Sequence, residues 1–210
     1  MRHTSTRELF AYWDARRGER PAPERADIDP VKIRHILGDV FILTIDFASE
    51  HRFRLAGTQM CALFGRELKA EAFAALWDEA SRPVAQYLLK VLAEEKIGGV
   101  AGVVGHTGDG DSVDLELLML PLISQDGIAV QVLGLLVPSE KPYWFGDRPV
   151  ATLELGQIRH IGPAVDQLGG RRLVTGGAAV QVRRGLMVYQ GGRSSAPSDS
   201  PSGSNSEKAG

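Results

Sequence analysis

The chain has a single cysteine among its 210 residues, and it has no apolar segment long enough to cross a lipid bilayer. One thiol cannot form an intrachain disulfide and is typical of a reducing compartment. Crossing a bilayer takes roughly 18 to 20 apolar residues, whereas Asp114, Glu116 and Gln131 interrupt the most apolar segments here. No apolar core follows the basic residues at the start of the sequence, so no secretory signal is predicted. We therefore expect a cytoplasmic protein without a membrane span.

Positive and negative charges are also nearly balanced. The 24 Lys and Arg residues and the 26 Asp and Glu residues give a formal net charge of -2. Such a balance produces no overall field that would attract nucleic acid or an anionic membrane. The sequence also lacks a nucleophile elbow, a phosphate-binding loop and a dinucleotide-binding glycine motif. We predict no nucleic-acid partner and no enzymatic activity.

What the sequence does contain is enough apolar residues, 43% of the chain, to form a sizeable core. Near the start, Leu9, Phe10 and Trp13 share one face of a predicted helix, and Ser5 and Glu8 have the spacing of a capping box. A short amphipathic helix needs a partner for its apolar stripe. We therefore predict that Leu9, Phe10 and Trp13 form a docking or dimer surface, and we expect a homodimer.

Alternation of apolar and polar residues predicts five strands in two groups. A helix capped by Ser81 is predicted between the groups, over residues 81–97. Asp114 and Glu116 mark the exposed face of the fourth strand. This order indicates an α+β fold, an antiparallel five-stranded sheet with helices on one face. The predicted strands span residues 40–47 and 51–56 in the first group, and 99–106, 113–123 and 128–137 in the second.

The second strand is predicted to end at Gly57 and to turn directly into a short helix capped by Thr58. Gly57 is interpreted as a position where a side chain would obstruct the turn. Arg54 and Arg66 flank this junction, and a guanidinium offers a planar fork of donors to a carboxylate or phosphate. Surface ion pairs are the other interpretation of both arginines, and a cap is the other interpretation of Thr58.

The order of several short motifs resembles that of the PAS domain family called PAS_5, which is common in alphaproteobacteria. The resemblance covers roughly residues 6–140 and implies two strands, a run of short helices and three further strands in one sheet. It also implies a sensory or interaction module. The motifs are Tyr12-Trp13-Asp14, Arg20-Pro21-Ala22-Pro23, Asp27-Ile28-Asp29-Pro30, residues 54–58 and 63–68, Trp77, Leu120-Pro121-Leu122, and Leu133-Gly134 followed by Pro138.

In PAS domains that bind small molecules, the ligand lies between the sheet and the helices. The resemblance therefore implies that Arg54, Thr58 and Arg66 are ligand-binding candidates. Many other PAS domains have no known ligand and mediate dimerisation or partner docking. The predicted function is a stand-alone sensory or regulatory module that binds a protein partner in a signalling pathway, with gating by a small ligand left open. A structural adaptor without a ligand site and a small enzyme are the alternatives.

No cofactor and no metal are predicted. Cys61 lacks the Asn-Cys-Arg-Phe-Leu-Gln run through which photosensory PAS domains attach a flavin, so we interpret it as an inert thiol. The predicted helix over 81–97 contains no histidine for a haem, and the five histidines of the chain are not at metal-ligand spacing. The acidic run Asp109-Gly110-Asp111 is interpreted as a polar hairpin loop and not as a calcium site.

The chain is predicted to have four parts, with the core in the second. The C-terminal extension contains residues 152–161, predicted as a strand or a helix, and two pairs of arginines, Arg171-Arg172 and Arg183-Arg184. A solvated edge hairpin is the favoured interpretation of these arginines, with an anion- or partner-binding surface as the alternative. The parts are an N-terminal helical cap over 1–37, the PAS core over 38–140, an extension with short strands over 141–190, and a disordered tail over 191–210.

Overall fold

The computed structural model describes residues 1–46 and 50–162, together with the backbone of three short strands between residues 172 and 189. The chain divides into two compact units, Met1–Thr175 and Gly176–Gly210. The first unit contains the predicted cap, the predicted core and part of the predicted extension. The tail predicted to be disordered, over 191–210, lies outside the described residues.

In its described residues, the first unit forms three α-helices and seven strands, with short 3-10 turns between them. One such turn, Pro30–Ile33, is capped by the side chain of Asp29. The helices are α1 (Thr4–Arg17), α2 (Thr58–Phe64) and α3 (Arg82–Glu95). The strands are β1 (Val40–Thr44), β2 (Phe53–Ala56), β3 (Gly98–Thr107), β4 (Ser112–Ile123), β5 (Ala129–Pro138), β6 (Val150–Ile161) and β7 (Arg172–Leu173).

The seven strands form one antiparallel sheet in the order β2-β1-β5-β4-β3-β6-β7. The two predicted groups of strands meet at the pairing of β1 with β5, where Val40 lies opposite Leu135. This pairing confirms the predicted α+β fold with a sheet that contains all five expected strands. The sheet then continues beyond them, because β6 pairs with β3 from Gly98 to Thr107. The strand lies past residue 140, where the sequence analysis placed the end of the core.

The outer edge of β6 is held by the residues that lead into α3. The amide of Asp78 donates to the carbonyl of Leu153 at 3.0 Å, and the amide of Leu155 donates to the hydroxyl of Ser81 at 2.9 Å. Ser81 does occupy the N-cap position, but its hydroxyl forms no capping hydrogen bond with α3. This corrects the capping role predicted for Ser81. Residues 70–73 cover the outer edge of β2 in a similar way, and covered edges protect a sheet from aggregation.

The face of the sheet opposite α3 is covered by α1. Leu9 and Trp13 are 0% exposed, and the indole Nε1 of Trp13 donates to the carbonyl of Pro121 at 2.9 Å. The apolar stripe of α1 therefore has its partner within the chain, which corrects the prediction that Leu9 and Trp13 form an external docking surface. Phe10 is half-buried and stacks on Trp13. The sheet residues in this cluster include Leu118, Leu120, Leu122, Leu133, Leu135 and Val137.

A buried carboxylate fixes the start of α1 to the sheet. Glu116 of β4 is 8% exposed, and it accepts hydrogen bonds from the amides of Arg2 at 2.6 Å and His3 at 3.1 Å. Burial raises the pKa of Glu116, but the hydrogen bonds from the amides of Arg2 and His3 oppose burial, and the pKa is lowered overall. His3 is the N-cap of α1, so the capping box predicted to start at Ser5 does not form. A carboxylate at this position also complements the helix dipole.

The turn from β2 into α2 depends on the missing side chain of Gly57. A Cβ at this position would lie 2.2 Å from the carbonyl oxygen of Leu37 and 2.3 Å from that of Gly38. Both neighbours are backbone atoms, so they cannot move aside without shifting the turn. The prediction that a side chain would obstruct this turn is confirmed. Gly57 is also the N-cap of α2, so Thr58 is the first helical residue and does not cap the helix.

The second unit, described by itself, contains one hairpin in its described residues. Its strands are β8 (Val180–Arg183) and β9 (Leu186–Tyr189), which pair in antiparallel register. Short strands were predicted in the extension over 141–190, and β7, β8 and β9 lie within it. The solvated edge hairpin favoured for the arginine pairs stays a prediction.

We expect Gly57→Ala to lower the free energy of unfolding by about 1 to 3 kcal/mol, the usual cost of forcing atoms into occupied space. Chemical denaturation followed by circular dichroism measures the change. Gly108→Ala is the matched control, because a Cβ at Gly108 would meet no atom within 4 Å. An unchanged denaturation midpoint for Gly57→Ala would contradict the close backbone contact.

The lowered pKa of Glu116 predicts a pH dependence of stability. A carboxyl group with a lowered pKa stabilises the fold above its unfolded pKa, and this contribution is lost as the pH falls through the folded pKa. We expect Glu116→Gln to lower the free energy of unfolding by about 1 to 3 kcal/mol at neutral pH. The difference from wild type should shrink below about pH 4.3, the ordinary pKa of glutamate.

Urea denaturation at a series of pH values measures this difference. Asp114→Asn is the control, because Asp114 is an exposed carboxylate on the same strand, and we expect little change from it at any pH. If the difference between wild type and Glu116→Gln stays constant across the pH range, the charge of Glu116 is not what holds α1.

Candidate functional site

The face of the sheet opposite α1, on the side of α3, carries a cluster of four aromatic side chains. The Phe41 ring lies 5.6 Å from that of Phe53 and 6.3 Å from that of Phe73, and the Phe73 ring lies 5.5 Å from that of Trp77, between centroids. All four side chains are at most 2% exposed. Phe41 packs directly on the backbone of Gly134, where a Cβ would lie 2.0 Å from the ring. These rings therefore occupy the region between helices and sheet where the family resemblance implies a ligand.

One polar atom in this aromatic cluster has no partner. The indole Nε1 of Trp77 is buried and forms no hydrogen bond with a described residue. A buried donor without an acceptor costs about 1 to 3 kcal/mol, and buried polar groups in native proteins nearly always have a protein or water partner. An acceptor atom beside Trp77 would remove that cost. The cluster can thus offer a single hydrogen bond in an otherwise apolar surrounding.

The three residues predicted to bind a ligand lie away from this cluster. Arg54, Thr58 and Arg66 are all exposed, and none of them belongs to the aromatic cluster, so ligand binding by these residues stays a prediction. The guanidinium Nε of Arg66 lies 3.1 and 3.2 Å from the two carboxylate oxygens of Glu71. Arg66 therefore forms the surface ion pair that was the alternative interpretation of its sequence.

The reactive side chains in the described part of the chain do not converge on a metal or redox site. Cys61 is half-buried, and its Sγ lies 3.7 Å from a carboxylate oxygen of Glu67. Over residues 1–46 and 50–162, no group of three His, Cys, Asp or Glu side chains could hold a metal ion. None of the helices described in this chain has the length and apolar character needed to cross a membrane.

Burial in the first unit shifts the pKa of His51. His51 is 6% exposed, and burial lowers its pKa, with Asp46 opposing the shift. The amide of Asp46 donates to the Nδ1 of His51 at 3.2 Å. This contact ties the end of β1 to the start of β2, so His51 has a structural role in the hairpin.

A groove of about 760 Å³ lies on the other face of the sheet, beside α1. Strands β3, β4 and β6 form its floor, and the first two residues of the chain form one wall. Its floor includes two glycines, Gly102 and Gly156. Its polar lining includes the charged residues Arg2, Asp114, Glu116 and Arg159, with Ser139 and Gln157.

The outer groove has no local signature in the sequence, because its residues come from five separate segments of the chain. The only signal was the alternation on β4, which predicted that Asp114 and Glu116 lie on the exposed face. Asp114 is exposed as predicted, whereas Glu116 is buried. The difference arises because the amides of Arg2 and His3 cover the Glu116 carboxylate.

Solved structures with a similar fold include light-sensing and sensory domains. A light-oxygen-voltage domain studied with a flavin analogue is 16% identical, with 53% of this chain and 84% of that chain covered and a TM-score of 0.42. A Rhodobacter sphaeroides LOV protein is 10% identical, with 55% and 71% covered and a TM-score of 0.42. The N-terminal domain of a diguanylate cyclase with a PAS/PAC sensor from Marinobacter aquaeolei is 17% identical, with 47% and 94% covered and a TM-score of 0.38.

No curated protein sequence matches the chain. The assignment therefore depends on the family model of PAS_5, described as a PAS domain, which matches residues 1–137. That match spans more than half of the 210 residues and includes α1, the aromatic cluster and strands β1 to β4. The chain belongs to the PAS_5 family of PAS domains.

Proposed function

We propose that this chain is a regulatory PAS module that acts by binding another protein. The observation that carries the proposal is the packing of Phe41, Phe53, Phe73 and Trp77, which places side chains in the region where other PAS domains bind small molecules. A core filled in this way supports signalling through the surface. We expect no catalytic step, since one indole N–H among four apolar rings supplies neither a nucleophile nor a base.

The partner is a protein of a signalling pathway, and a second copy of the chain is one candidate. A homodimer remains part of the proposal, although Leu9 and Trp13 are buried within the chain and cannot supply its interface as they stand. The proposed location is the cytoplasm, because a single cysteine is typical of a reducing compartment.

If the chain binds a partner, the tagged full chain should co-purify with a specific protein from the cells in which it naturally occurs. The two purified proteins should then bind each other. We expect a dissociation constant of about 1 μM or lower by titration calorimetry, as for many specific complexes. The tag alone is the control for recovery. If no recovered protein binds in purified form, and the chain is monomeric by sedimentation, the proposal is wrong.

The unpartnered indole of Trp77 supports a second candidate function, gating by a small ligand. Such a ligand would be mainly apolar and would place one hydrogen-bond acceptor beside Nε1. Its binding would add to partner binding and would not replace it. A core without any ligand corresponds to the structural adaptor considered from the sequence.

Native mass spectrometry of freshly purified protein tests the ligand. Gating by a ligand predicts a bound small molecule in wild type and its loss in Trp77→Phe, which removes the unpartnered donor of the cluster while keeping an aromatic ring. Trp144→Phe is the matched control, because Trp144 is also buried but is not part of the cluster. An absent adduct in wild type, with no thermal stabilisation by a metabolite library, would favour the adaptor.

A further inference from the structure

The floor of the outer groove contains a glycine that the fold itself does not require. Gly102 lies in the interior of β3 and is exposed. A Cβ on Gly102 would meet no atom within 4 Å, and its φ lies outside the left-handed region. Its neighbour Gly156 differs, because a Cβ there would lie 2.8 Å from the carbonyl oxygen of Gly102.

Glycine in a strand interior destabilises the strand relative to alanine. An interior glycine often marks a bulge or a place where a ligand or another backbone approaches closely. Gly102 lies where the register between β3 and β6 shifts, between Ala101 and Val103. No neighbouring atom excludes a side chain at Gly102, so the space above it leaves the floor of the groove open to an extended backbone.

Two opposite charges without ion-pair partners lie at the two ends of the outer groove. Asp114 on β4 and Arg159 on β6 are exposed, and neither side chain forms an ion pair or hydrogen bond with a described residue. Arg148 is paired with Asp111, and Glu116 is already bound by two backbone amides. Arg2 on the wall is also exposed, so the groove offers one negative and two positive side chains to an occupant. Of these, Asp114 and Arg159 lie on the strands of the floor.

The strand register gives the separation of these charges. Asp114 lies opposite Val104, and Arg159 lies opposite Val100, so they are four residues apart along β3 and two strands apart across the sheet. With roughly 3.3 Å per residue and roughly 4.8 Å between strands, their Cα atoms are about 16 Å apart. An extended chain spans that distance with about five residues.

We propose that the outer groove binds an extended segment of a partner protein, with a basic residue over Asp114 and an acidic residue four or six positions away over Arg159. An even offset is needed because alternate side chains of an extended segment point to the same face. The backbone of the segment passes over Gly102, where no side chain obstructs it. The charge pattern follows from the two floor side chains, which form no ion pair with a described residue. This inference rests on the proposed function of protein binding, to which it adds the surface and the charge pattern of the partner.

Fluorescently labelled eight-residue peptides test the spacing. Each peptide carries one Lys and one Glu, in either order, with the second charge two, four or six positions after the first and with Ser and Ala elsewhere. We expect an offset of four or six positions to bind the full chain more tightly than an offset of two, in one of the two orders, measured by fluorescence anisotropy. Equal binding at every spacing would overturn the proposal.

Filling the floor tests the path of the backbone. We expect Gly102→Leu to weaken binding of the best peptide at least about tenfold, because a side chain there would occupy the open space. Gly108→Leu is the matched control, since Gly108 is also exposed with nothing within 4 Å of a Cβ. Thermal melting checks that both variants are folded, and the charge variants below test the groove without filling it.

Charge reversal tests the two ends. We expect Asp114→Lys and Arg159→Glu each to weaken binding about tenfold, and each to be rescued by a peptide with the matching charge reversed. Glu79→Lys and Arg34→Glu reverse exposed charges outside the groove and should leave binding unchanged. Absence of rescue would overturn the assignment of the two charges.

Two further outcomes distinguish this inference from the proposed function. If the groove variants dissociate a dimer in analytical ultracentrifugation and no peptide binds, the surface is an interface between copies and the inference is wrong. If a purified natural partner binds the groove variants as tightly as wild type, the groove is not its site, while protein binding by this PAS module stands.

Discussion

The central strands of the sheet are apolar on both faces, and this constraint explains the position of each helix. Along β4, Leu118 and Leu120 lie on the side of α1, whereas the alternate residues Leu117 and Met119 lie on the side of α3. Covering one face with α3 leaves a second apolar face that must also be buried. The N-terminal helix covers it, so α1 is part of the core and not an accessory.

The outer face becomes polar where the cover of α1 ends, and Glu116 lies at that boundary. Its carboxylate holds the amides of Arg2 and His3 at the start of α1, and it also lines the outer groove. Strand β6, which extends the sheet beyond the matched family region, supplies Arg159 to the same groove. The groove is therefore built jointly by the family fold and by an addition to it.

Local patterns predicted the elements well and the surfaces poorly. The strands over residues 99–137 were predicted within two residues of β3, β4 and β5, because glycines and turn residues bound each apolar run. An apolar stripe on α1 looks the same whether its partner is the chain's own sheet or another protein, so the sequence could not place Trp13. The outer groove had no local signature, since Gly102 and Arg159 enter the same groove only after β6 pairs with β3.

The aromatic cluster and the outer groove lie on different strands of one sheet, and β6 connects them. Phe41 and Phe53 belong to β1 and β2, whereas β3, β4 and β6 form the floor of the groove. The backbone of Trp77, the polar member of the cluster, pairs with Leu153 of β6, and the same strand supplies Arg159 to the groove. A ligand beside Trp77 and a partner in the groove would thus both act on β6, which is why the two candidate functions are compatible.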